Sequence, residues 1–171
     1  MKYSILNFKF QNRGFTLIEM IIYIAIVAMI LTSISYLIID IIGGQTINYT
    51  DQEVNYNLRL IANNLTRDIK QAQDIGSITA DTLVLIMPVD NIIYNFDNTA
   101  KIITRQIGSS VPVDIGSNKV EVVGSFSDLS RFYRSKNIGV NLAISYKNPD
   151  NLSNYNASTT IDFAVELRGK K

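Results

Sequence analysis

Few side chains in this 171-residue chain can do chemistry, and the most telling one lies near its start. The chain has no His and no Cys, which removes the commonest general base, the commonest metal ligand, thiol nucleophiles and disulfides. Paired acids beside a nucleophile, as glycoside or ester hydrolysis requires, form no cluster along the sequence, so no enzyme and no cofactor is expected. What remains is Glu19, the one charged residue between Gly14 and Ile39, directly after the basic residues Lys2, Lys9 and Arg13. An acid at the centre of a membrane helix costs about 2.5–3.5 kcal/mol, and less near an end. One role for Glu19 is therefore to sit at the interface and reach toward water. The other needs a new N-terminus: a cut after Gly14 would leave an α-amino group on Phe15, one helical turn from Glu19 and beside the positive end of the helix dipole. Carboxylate and ammonium would then neutralise each other, within a chain or between neighbours, and in an apolar setting that pairing would set axial register.

The element that must position Glu19 is the run from Met20 to Ile39, which contains 20 uncharged residues. At about 1.5 Å per residue such a helix covers roughly 30 Å, the hydrocarbon thickness of a bilayer. A removable secretory signal would have a shorter apolar core of roughly 7–15 residues and a small-residue cleavage site at its end, and neither is present. The run is read as a single membrane span. Lys2, Lys9 and Arg13 on one side orient it with the N-terminus in the cytoplasm and residues 40–171 outside, a single-pass inner-membrane topology.

The ordered residues Gly14, Phe15, Thr16, Leu17, Ile18 and Glu19, behind basic residues and ahead of a spanning run, resemble the processing and N-methylation signal of type IV prepilins and type II secretion pseudopilins. The resemblance implies that a membrane prepilin peptidase cuts after Gly14 and methylates Phe15. It also implies that Glu19 pairs with a terminal amine during filament assembly. The partners that follow are the prepilin peptidase, other pilin or pseudopilin subunits, the inner-membrane assembly platform, and membrane lipid before assembly. The final location would be a pilus or pseudopilus.

Beyond Ile39 the pattern changes. Val54, Leu58, Ile61, Leu65, Ile69 and Ala72 recur at helical spacing and form one apolar stripe, predicting an amphipathic helix from about Asn48 to Asp74. Arg59, Arg67, Asp68 and Lys70 fall on its other faces and are expected to be solvated. Gly43 and Gly44 lie between the two helical halves, either as a loop or as a flexible point in one long helix, since each Gly costs about 1 kcal/mol of helix propensity. From Gly76 onward short β-rich runs appear: Thr82–Met87, a hairpin of Asn91–Phe96 with Lys101–Ile107, then Val120–Phe126, Val140–Tyr146 and Thr159–Leu167. The expected fold is α+β and pilin-like: a basic leader over 1–14, a long helix over 15–75 with its membrane segment at 15–39, and a β-rich domain over 76–171 made of five or six antiparallel strands with the stripe on one sheet face.

Within the family the order of elements is more specifically similar to J-type minor pseudopilins and PilW-type minor pilins. The likeness rests on Asn57–Ile61 through Leu65–Ala72, on the Ile93-Tyr94 hairpin leading to Arg105, and on Val165–Arg168. After the apolar run, 16 − 3 = 13 Lys and Arg face 15 − 1 = 14 Asp and Glu, so the exported part is nearly neutral. That balance gives no general reason to expect nucleic acid as a partner. Arg131, Arg134 and Lys136 around Phe132 and Tyr133 form the one basic-aromatic group, read as a solvated loop in preference to a nucleic-acid patch. Asp90, Asp97, Asp114, Asp128 and Asp150 lack the spacing of a calcium loop. Two other readings stay open: a single-pass anchor that presents a binding domain outside the cell, and a DNA-uptake pilin.

Overall fold

The computed structural model describes residues 14–131 and 136–168. The chain divides into two compact units, Met1–Ile42 and Gly43–Lys171. Helix α1 runs Leu17–Gln71, through most of the described residues of the first unit and into the second.

In the first unit every side chain from Gly14 to Ile42 is exposed, and the helix is long and apolar enough to cross a membrane. Its hydroxyl residues bring their own acceptors: Thr32, Ser33 and Ser35 donate to the carbonyls of Ala28, Met29 and Leu31 at 2.7, 2.9 and 2.8 Å. Back-bonding of this kind removes the cost of placing an unpaired hydroxyl in hydrocarbon. Gly43 and Gly44 are helical, so the loop alternative does not hold.

The second unit is built on the predicted stripe. Val54, Leu58, Ile61, Leu65, Ile69 and Ala72 are all buried, at 0–8 % exposure. Among the described residues eight strands follow: β1 Asp74–Ile78, β2 Thr82–Ile86, β3 Ile92–Asp97, β4 Ile102–Ile107, β5 Val113–Asp114, β6 Val120–Asp128, β7 Asn137–Tyr146 and β8 Ser158–Glu166. They make two antiparallel sheets, one ordered β1-β2-β3-β4-β5 and one ordered β6-β7-β8. Five or six strands were expected, and β1 and β5 are additional for local reasons. Strand β1 carries Gly76 and a register break between Ile75 and Ser77, so it has no clean alternation. Strand β5 has two residues, both exposed.

Each sheet contributes its alternate residues to one core. Leu83, Leu85, Ile92, Tyr94, Phe96 and Ile103 come from the first sheet, and Val122, Phe126, Ile138, Val140, Leu142 and Ile144 from the second. The sheets meet along β6, where the rings of Phe96 and Phe126 lie 4.7 Å apart. A glycine is needed there: a Cβ on Gly124 would stand 2.5 Å from the Asn141 carbonyl oxygen and 2.6 Å from the Phe96 ring. The Asn98 amide, from the β3–β4 turn, clasps the Gly124 backbone, accepting from its N–H at 3.1 Å and donating to its carbonyl at 3.2 Å.

One expectation for the helix fails. Asp68 is 2 % exposed instead of solvated. It stands three residues after Leu65 and seven after Ile61, which puts it on the edge of the buried stripe. Three donors compensate its burial. The Tyr94 hydroxyl and the Arg105 Nε donate to Asp68 Oδ2 at 2.7 and 2.8 Å, and the Arg67 Nε donates to Oδ1 at 3.1 Å. Arg59, Arg67 and Lys70 are exposed as expected.

Candidate functional site

The helix begins where its sequence supplies a cap. Thr16 Oγ1 accepts the Glu19 N–H at 3.3 Å, and the Thr16 carbonyl accepts the Met20 N–H at 3.2 Å. Thr16 is thus the N-cap, and the spacing Thr-x-x-Glu is that of a capping box. Because the helix starts at Leu17, Gly14 and Phe15 lie before it and are exposed. Among the described residues, its chain neighbours aside, no heavy atom lies within 4 Å of a Cβ built on Gly14. The Phe15 ring packs edge-on against Tyr23, with centroids 5.7 Å apart.

Glu19 is exposed in the first turn. Four helical N–H groups there lack intrahelical acceptors, and a carboxylate is favoured beside them. In sequence Glu19 stands four residues after Phe15. Lys2, Lys9 and Arg13 lie outside the described residues, as do Phe132, Tyr133 and Arg134 of the basic-aromatic group. Of that group's described members, Lys136 forms an ion pair with Asp74, whose carboxyl is held below the usual range first by that contact and then by the Ile75 N–H. Arg131 is exposed.

Gly43 and Gly44 sit at the start of the second unit. A Cβ on Gly43 would lie 3.7 Å from the Asn154 amide, whereas Gly44 faces open space. A turn further on, the helix is fastened to the β5–β6 connection by groups that sequence reasoning missed. Asn57 Oδ1 accepts the Ser117 N–H at 2.9 Å, Ser117 Oγ donates to Glu53 Oε1 at 3.0 Å, and Lys119 reaches the Tyr49 hydroxyl and lies over its ring. Asn57 is 1 % exposed, and its spacing from Val54 and Ile61 was the available signal.

Burial, and then the hydrogen bond to Asp68, push the Tyr94 phenol far above its ordinary range, so it stays a neutral donor. Of the acids weighed for calcium, Asp97, Asp114 and Asp128 each accept backbone N–H groups of the turn that follows them, at 2.8–3.0 Å. Among the described residues no group of three or more Asp or Glu is placed to hold a metal ion.

Residues 9–35 match the family described as the prokaryotic N-terminal methylation motif. No curated protein and no solved structure matches the chain. The matched span contains Gly14, Phe15, Thr16 and Glu19 together with most of the apolar run from Met20 to Ile39. The chain therefore carries a type IV prepilin-like signal, at the head of one long helix that packs on antiparallel sheets in the manner of a pilin.

Proposed function

We propose that this pilin-like chain is a minor pilin or pseudopilin, a structural subunit and not an enzyme. In this reading prepilin peptidase cuts after Gly14 and methylates Phe15, and the subunit then leaves the inner membrane for a type IV pilus or a type II secretion pseudopilus. The observation that carries the reading is the methylation motif at residues 9–35, with its candidate scissile bond just outside a capped, membrane-length helix. The N-terminus starts in the cytoplasm and residues 40–171 lie outside, because the basic residues precede the span. Gly43 and Gly44 act as the flexible point at which the helix adapts between bilayer and filament. Assignment as a minor subunit rests on the likeness of residues 57–72, 93–105 and 165–168 to J-type and PilW-type proteins. Three of the residues involved, Asp68, Tyr94 and Arg105, are joined in one buried cluster.

The reading is tested by where the chain is found. In cells of its native host, a fraction of the protein sediments with filaments sheared from the surface or, for a pseudopilus, with filaments formed on overexpression of the major subunit. A chain that stays wholly in the membrane fraction while other subunits assemble contradicts the proposal and favours a permanent anchor with an external binding domain.

A further inference from the structure

The second sheet has one edge that the fold leaves open. Its β6 edge is closed: the N–H groups of Val120, Val122, Gly124 and Phe126 donate to Ser117 O, Lys101 O, Asn98 Oδ1 and Ala80 O at 2.8–3.3 Å. The first sheet ends in strands that resist pairing, β1 being broken by its register shift and β5 being two residues long. Strand β8 is different, with nine residues from Ser158 to Glu166, no proline and an unbroken register against β7. Tyr146 N–H donates to Ala157 O and Leu167 N–H to Lys136 O, which fixes the alternation of the ladder. Odd-numbered residues of β8 turn their backbone groups toward β7. Ser158, Thr160, Asp162, Ala164 and Glu166 turn theirs away, and among the described residues no hydrogen bond reaches those groups. Long unpaired edges of this kind are normally blunted, because they template pairing with another chain.

The side chains agree with the backbone. Ile161 and Phe163 point inward but stay half-buried, whereas Val140 and Leu142, opposite them on β7, are buried. An added strand would cover both. The character of that strand follows from charge. A two-fold pairing of β8 with a second copy over all nine residues would set Asp162 directly against its own mate. The neighbouring registers shorten the overlap and still leave the two carboxylates diagonal. Like charges so placed are destabilising. Beside Asp162 lies a shallow, open hollow lined by Ser127, Leu129, Gly139 and Ala164.

We infer that the β8 edge is a docking site for an extended segment of a different protein chain, apolar at every second residue and carrying Lys or Arg opposite Asp162. Docking is by strand addition: main-chain bonds supply affinity, the apolar side chains cap Ile161 and Phe163, and the basic residue pairs with Asp162. The inference holds whether the protein is assembled in a filament or remains an anchor, so it can fail without the proposed function failing.

The test uses the full-length protein in detergent micelles and two synthetic nine-residue peptides, Thr-Val-Thr-Val-Lys-Val-Thr-Val-Thr and the same peptide with Glu for Lys. Hydrogen exchange at single-residue resolution is the readout. The Lys peptide slows exchange of the Thr160, Asp162 and Ala164 amides, which are fast in the free protein, and binds about tenfold more tightly than the Glu peptide. Asp162→Lys reverses that preference. Equal affinity for the two peptides, or no protection of these amides by either, overturns the inference. So does rapid disulfide dimerisation of an Asp162→Cys protein, since it would make a second copy the occupant of the edge.

Discussion

Replacing Asp68 by Ala lowers the stability of the second unit by about 2–4 kcal/mol, because removing one partner of a buried charged pair leaves the other uncompensated. The upper end of the range for such losses is not reached, since the Arg105 side chain keeps 20 % exposure and can recover some water. The Tyr94 hydroxyl has no such escape at 0 % exposure. Arg67 supplies the internal control. It contacts the same carboxylate, but its side chain is 57 % exposed, so Arg67→Ala costs less than about 1 kcal/mol. Thermal unfolding of the purified protein in detergent, followed by tyrosine circular dichroism, shows a drop of about 6–15 °C for Asp68→Ala. Equal effects of the two substitutions would mean that the cluster is not what holds the helix to the first sheet. The pH dependence has a definite sign. Because the folded state raises the Tyr94 pKa, the stability linked to that proton is complete below the unfolded tyrosine value of about 10 and is lost as pH rises beyond it.

Substitution of Glu19 separates two roles that share one residue. In the isolated chain its position completes a capping box with Thr16, a role Gln fills as well as Glu. In the proposed filament its charge neutralises the Phe15 amine of a neighbour in an apolar interior. An ammonium left unpaired there costs about 3–5 kcal/mol, equivalent to at least a hundredfold loss of incorporation. Glu19→Gln and Glu19→Ala proteins are therefore both cut normally, and both are depleted at least about a hundredfold from sheared filaments relative to the membrane fraction. If Glu19→Gln assembles like the unaltered protein, the cap and not the charge is what matters, and the pairing role is wrong.

How much of this was legible depended on periodicity. The stripe from Val54 to Ala72 could be read residue by residue because apolar side chains at helical spacing have few other uses, and all six are in the core. The alternation of Ile161, Phe163 and Val165 in β8 was legible for the same reason. Polar residues on a buried face carry no such signal. Asp68 was misjudged because its charge suggested water, while its spacing from Ile61 and Leu65 placed it inside, and the donors that make burial tolerable come from residues 26 and 37 positions away. Strands β1 and β5 were missed because a bulge and a two-residue pairing depend on what the neighbouring strand offers. The division into two sheets had the same origin, since the Asn98–Gly124 clasp links residues that are 26 apart. At the N-terminus, the methylation motif was readable from the type and order of Gly14, Phe15, Thr16 and Glu19. The cap on Thr16 was equally readable from Thr-x-x-Glu and was passed over beside the louder acid.

The central claim is that the Gly14–Phe15 bond is cut to release a filament subunit, and the mass of the N-terminal peptide tests it most directly. Purified from its native host with an active prepilin peptidase, the protein is predicted to begin at Phe15 with one methyl group on the α-amine. A chain that still carries residues 1–14, or that begins at any other residue, contradicts the account.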